Sequence, residues 1–230
     1  TMFPMIRSRA WAQICAKNSL HGAGTLHGHV NVSSRRRSYA HFFALDDFEL
    51  SHARFDGSMT PELDRAVFIG TDAAILLPYD PKTDCVALVE QMRMGPLARG
   101  DRSIWQLEPI AGRIDARETP EQTARREAFE EAGLTIDALH PVAQSYASPG
   151  CSSEFFYVFV GTTDLDRLGG TVGGLESEQE DIKTHVMPFD DLLALCEGLG
   201  AANAPLVLAT YWLAHHRKRL RSSCAAARDK

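Results

Sequence analysis

The chain has no CxxC pair. Its five cysteines, Cys15, Cys85, Cys151, Cys196 and Cys224, are odd in number and far apart, with no histidine nearby at zinc-finger spacing. A disulfide scaffold and a structural zinc are therefore disfavoured, and reduced thiols in a cytoplasmic protein are expected. The nine histidines show no HExxH or other ligand spacing, which also disfavours a catalytic zinc. No apolar run approaches the roughly 18–20 residues of a membrane span, and the N-terminus lacks an apolar segment ahead of a small-residue cleavage site. Neither membrane insertion nor secretion is expected. Basic residues are not in excess: 24 Lys+Arg against 30 Asp+Glu leave a net charge of −6, which argues against a general nucleic-acid partner. Glycine and proline, at 17 and 11, are too few for a collagen-like or low-complexity chain. What remains is a soluble globular composition, 44% hydrophobic and 23% charged, long enough at 230 residues for one large domain with an extension.

Residues 1–28 differ in character from the rest of the chain and are read as an appendage or linker: a short helix over Met5–Lys17, then a Gly-rich stretch. The chain begins with Thr1, as a piece of a longer or processed protein would. Residues 29–68 alternate as strands do, with Val30 and Val32, Phe42 to Leu45 and Phe48 to Leu50, and turn at Phe55-Asp56-Gly57-Ser58. Residues 69–221 hold two buried-looking strands, Ala73–Pro78 and Cys85–Gln91. Further strands are read at Trp105–Glu108, Val142–Tyr146 and Phe155–Val160, and helices at Asp190–Cys196 and from Asn203 onward. Residues 222–230 read as a tail. Strands dominate without βαβ alternation, so the class is α+β, a mixed sheet flanked by helices. The short basic runs Arg35-Arg36-Arg37 and His215–Arg219 are read as a strand edge and a helix end.

The strongest helix signal comes after Thr119, which suits an N-cap, with Pro120 at the first helical position, Gln122 as the reciprocal capping partner and Gly133 as the C-terminal glycine. This helix carries Glu127, Glu130 and Glu131 at i, i+3 and i+4, on one face. Like charges so placed repel and call for a positive partner. Arg125 and Arg126 on a solvated face are the general reading of such a helix. The flanking residues replace it: Gly112, Glu118, Arg126-Glu127, Glu130-Glu131, Gly133 and Leu134 meet every defined position of Gly-x5-Glu-x7-Arg-Glu-apolar-x-Glu-Glu-x-Gly-apolar, with Ala128 a small departure at the apolar position.

This pattern is the Nudix box, and the chain resembles the Nudix hydrolases. The resemblance implies an α/β/α sandwich around a mixed sheet and hydrolysis of a nucleoside diphosphate linked to another moiety. It implies Mg²⁺, or Mn²⁺ in its place, held by Glu127, Glu130 and Glu131 with help from the Ala111 carbonyl and Glu118, and Arg126 fixing the carboxylates. Hard oxygen ligands suit these ions, which neutralise charge on a diphosphate and align the attacking water.

Three further stretches resemble the ADP-ribose pyrophosphatase subgroup. Pro149 lies fifteen residues after Leu134, in Tyr146-Ala147-Ser148-Pro149-Gly150, and with Ser153-Glu154 fits a turn near the terminal ribose. An ordinary Ser-Pro-Gly turn is the alternative. The acidic run Gly174–Ile182 places Glu178 where the subgroup takes its general base, with Glu176 and Glu180 as competitors. The N-terminal part resembles a β-rich subdomain that crosses to a second subunit, contributing Phe42 and Arg65 to the partner's adenosine site in a homodimer; packing is the alternative for Phe42. Ala66 stands where the best-matching relatives carry a glutamate. Arg93 occupies the position of a phosphate-binding arginine, or forms a surface salt bridge. The resemblance implies hydrolysis of ADP-ribose to AMP and ribose 5-phosphate. The alternatives are a pyrophosphatase for a nucleotide sugar or dinucleotide, and a catalytically weak module that senses ADP-ribose.

Overall fold

The computed structural model describes residues 2–17, 28–166, 168, 172–173 and 181–228. The chain divides into two compact units, one of Thr1–Ala73, Arg113–Glu118 and Ser145–Phe156, the other of Ala74–Gly112, Thr119–Gln144 and Tyr157–Lys230.

The first unit opens with helix α1 (Met2–Lys17) and continues into strands β1 (Val30–Ala40), β2 (Ala44–His52) and β3 (Leu63–Ile69), an antiparallel sheet in the order β1-β2-β3. The β2–β3 connection turns at the expected place. Gly57 adopts φ 84°, and Asp56 Oδ1 accepts hydrogen bonds from the Ser58 amide at 2.8 Å and its hydroxyl at 2.6 Å. Within β2, Ala44 and Asp46 are buried on the same side of the strand, as a period of two demands. A carboxylate there needs counter-charge. Arg37 and Arg35 both donate to Asp46, and these bonds, Arg37's foremost, hold its carboxyl below the usual range against the opposing effect of burial. Helix α1 buries Met5, Ser8 and Arg9 within this unit; the Ser8 hydroxyl donates to Asp115 Oδ1 at 3.1 Å, and Arg113 Nη1 lies 3.2 Å from Met5 Sδ. The Gly-rich stretch between α1 and β1 lies outside the described residues.

The larger sheet comprises β4 (Asp72–Asp80), β5 (Cys85–Met92), β6 (Trp105–Glu108), β7 (Ile110–Arg113), β8 (Ala138–Tyr146), β9 (Phe155–Thr162), β10 (Val172–Gly173) and β11 (Ile182–Pro188). It runs β10-β11-β5-β4-β9-β8, with β6 beside β5 and β7 beside β4. Helices α2 (Met94–Arg99), α3 (Pro120–Ala132), α4 (Phe189–Glu197) and α5 (Ala204–Arg228) complete an α+β fold with a mixed sheet and a β-rich N-terminal region. The central strands β4 and β5 are buried on both faces, which is why their sequences run apolar instead of alternating. α4 packs on β11 and α5.

One polar cluster ties α5 to the β4–β5 turn. Asp84, at φ 63°, accepts from the Tyr79 hydroxyl and from Arg217 Nε, each at 2.7 Å, and from Arg221. Arg217 also bonds Asp190 at 2.6 Å and lies over the Phe189 ring. Burial pushes the Asp84 carboxyl up, but the bonds from Arg217 and Tyr79 outweigh it and hold it low. The Tyr79 phenol, fully buried and bonded to that carboxylate, is pushed well above its ordinary range.

Candidate active site

Helix α3 starts and stops where its sequence says. Thr119 Oγ1 accepts from the Gln122 amide, the Gln122 side chain accepts from the Thr119 amide, and Gly133 ends the helix at φ 64°. Ala124 and Ala128 form its buried stripe, and Glu131, at 4% exposure, continues it three residues on. A carboxylate in that position costs several kcal/mol unless charge or hydrogen bonds compensate, on the order of the penalty for burying an ion. Arg126 Nη1 donates to both Glu127 Oε1, at 2.7 Å, and Glu130 Oε2, at 2.9 Å, so one guanidinium clips two of the three carboxylates in a row. Gly112, next to Ala111 on β7, supplies the space beside them. A Cβ built there would fall inside the Glu127 carboxylate, so only glycine permits this approach of strand to helix.

Arg93 comes directly after β5 in the same unit. Its Nε donates to Glu108 Oε2 at 2.7 Å, and the other carboxylate oxygen accepts from Asn203 Nδ2 at 3.0 Å. Sequence reading missed Glu108 and gave Asn203 no role beyond opening α5. The available signals were a lone acid closing a short strand and an asparagine just before a helix.

Five of the remaining expected residues, Phe42, Arg65, Glu118, Pro149 and Glu154, lie in the first unit. Phe42 is 57% exposed and meets Phe43 edge-on at 4.8 Å. Arg65 is exposed on β3 and lines, with Arg36, Asp47 and Asp64, a concavity of about 440 Å³. Pro149 is exposed in a turn closed by the Cys151 and Ser152 amides on the Ser148 carbonyl. Glu154 packs so closely on Gly70 that a Cβ at Gly70 would lie 2.8 Å from its own. Glu118 Oε2 accepts from the Asp115 amide at 3.3 Å. Glu176, Glu178 and Glu180 lie outside the described residues.

A second acidic group comes from the end of β4 and the segment after β9: carboxylate oxygens of Asp80, Asp164 and Asp166 lie within 4.8 Å of one another. Asp80 accepts from the Lys82 amide and Thr83 hydroxyl, and Asp164 pairs with Lys82 Nζ at 2.7 Å, so these groups staple a turn.

The family model for the NUDIX domain matches residues 70–209. The chain belongs to the Nudix family. The ADP-ribose pyrophosphatase of Escherichia coli strain K12 is 38% identical over 196 residues, 85% of this chain and 93% of that protein. The Haemophilus influenzae protein of the same name is 34% identical, covering 84% and 90%. A GDP-mannose pyrophosphatase of Yersinia pestis is 32% identical over 67% of this chain and 76% of its own. A solved ADP compounds hydrolase superposes with TM-score 0.63, covering 83% of this chain and 95% of that one; at 18% identity this likeness concerns the fold. In Nudix terms, β7 and α3 carry the two ends of the box. Three hard carboxylates are a donor set that fits a divalent cation, and the Arg126 guanidinium and the space left by Gly112 hold Glu127 in place among them.

Proposed function

We propose that this protein hydrolyses the diphosphate bond of ADP-ribose to AMP and ribose 5-phosphate, using Mg²⁺ or, in its place, Mn²⁺. The observation that supports this most is the carboxylate face of α3 clipped by Arg126, in a chain that curated ADP-ribose pyrophosphatases match over most of its length.

Glu127, Glu130 and Glu131 would hold the cation, with the Ala111 carbonyl and Glu118 assisting. Bound there, it supplies charge neutralisation on the diphosphate. Arg126, donating from one nitrogen to both Glu127 and Glu130, offsets the repulsion between these two like charges and holds them in place. Arg93 binds a diphosphate oxygen. Glu178, or its neighbours Glu176 and Glu180, accepts a proton as water attacks one phosphorus and the bridging P–O bond breaks. Pro149 and Glu154 border the terminal ribose. Phe42 and Arg65 serve a second copy's adenosine pocket in a homodimer with exchanged N-terminal subdomains, working in the cytoplasm, where the free thiols stay reduced.

Purified protein with Mg²⁺ should turn over ADP-ribose in preference to GDP-mannose and diadenosine diphosphate. The likeness to the Yersinia enzyme makes a nucleotide sugar the second reading, and preferential turnover of GDP-mannose would establish it. Glu131→Gln should abolish turnover while retaining ADP-ribose affinity.

A further inference from the structure

We infer that Glu108, gripped by Asn203, is the positioning residue that presents Arg93 to the diphosphate. The inference rests on the reading of Arg93 as a phosphate ligand, and starts from the demands of one buried carboxylate. Glu108 is 7% exposed, so both its oxygens need donors. Oε2 takes Arg93 Nε and Oε1 takes Asn203 Nδ2. The orientation of the Asn203 amide is not free. Its Oδ1 caps α5 by accepting from the Leu206 amide at 2.9 Å, which leaves Nδ2 as the end that must donate. Glu108 therefore has to accept twice, and only the carboxylate does so.

The guanidinium has five donors in a fixed fork. Engaged through Nε, with its side chain 41% exposed, Arg93 makes no hydrogen bond through Nη1 or Nη2 among the described residues. Those two nitrogens form the edge that binds a phosphate oxygen pair. Backbone pairing fixes the rest. β6 places Glu108 opposite Val89 and Trp105 opposite Met92, and the Arg93 amide donates to the Ile104 carbonyl at 2.9 Å. An arginine anchored at backbone and Nε loses little further freedom on binding. Glu108 is thus joined to the start of α5 on one side and to the diphosphate ligand on the other. Pro109 alone separates it from β7, which bears Ala111 and Gly112.

The test is a double-mutant cycle on the full chain with ADP-ribose and Mg²⁺. Glu108→Gln keeps one acceptor and must desert either Arg93 or Asn203. It is expected to raise KM about tenfold with kcat within about threefold, the signature of lost uniform binding. Asn203→Ala is expected to act in the same direction more weakly. In an Arg93→Ala background, Glu108→Gln is expected to change KM less than twofold, whereas a merely structural role would give the same loss in both backgrounds. Thermal melting of each variant reports folding separately. If Arg93→Ala leaves KM unchanged, the reading of Arg93 falls and takes this inference with it. If Arg93→Ala raises KM and Glu108→Gln does not, or if the two losses add, the positioning role alone is overturned.

Discussion

Gly112 shows how much can hang on a missing side chain. Its place on β7 lets the Glu127 carboxylate lie where a Cβ would otherwise be. Gly112→Ala should displace Glu127 and lower kcat on the order of a hundredfold, as misplacements of about an ångström do. The melting temperature should move much less. Equal losses of activity and stability would contradict this. Asp72 offers a pH handle. Burial pushes its carboxyl up from 3.8 to about 6. The folded state thus favours the protonated form: the stability tied to this group is complete below about pH 4 and is lost as pH rises through 6. Asp72→Asn is therefore expected to melt higher than the parent protein at pH 7, with the gap closing near pH 4. A gap that stays constant between the two pH values would refute the assignment.

Helix α3 was legible in full because every signal that bounds it is local: a threonine cap, a proline one position on, a glutamine at the reciprocal place and a glycine free to take φ 64°. Thr119→Ala should cost about 1 kcal/mol, measurable by urea titration, and should weaken divalent-cation binding, since the cap holds the first turn of the helix that bears the carboxylates. The central strands β4 and β5 were legible as apolar runs for the opposite reason, being covered on both faces. β11 was not. Ile182–Pro188 is short and mixes Lys183 and His185 with apolar residues, and it becomes a strand through pairing with its sheet neighbours, chiefly β5, where Lys183 meets Glu90. Glu108 was hidden likewise. Its partnership with Arg93 is a product of the β5–β6 register, and its second partner Asn203 lies 95 positions away. The box is written within one short stretch of sequence and was readable, whereas contacts set by sheet register are not.

The −6 charge first spoke only against nucleic acid. In the fold it is partly gathered into carboxylates with assigned neighbours, among them Asp84, which meets Tyr79, Arg217 and Arg221. Asp84→Ala would leave the buried Tyr79 hydroxyl without its acceptor and free two partly exposed guanidiniums, and is expected to destabilise by about 2–3 kcal/mol. Scanning calorimetry would read this as a drop in the main transition, and a change below about 1 kcal/mol would mean that the cluster is solvent-screened. The same cluster sets an order on biosynthesis. Arg217 lies 133 positions after Asp84. While the ribosome is still short of Arg217, the β4–β5 turn holds an acid with no guanidinium to meet it and the sheet lacks α5. The Asp84 cluster can therefore close only after Arg217 has emerged, and a chain halted before that point leaves apolar strand surface without α5 to cover it, a form expected to be prone to aggregation.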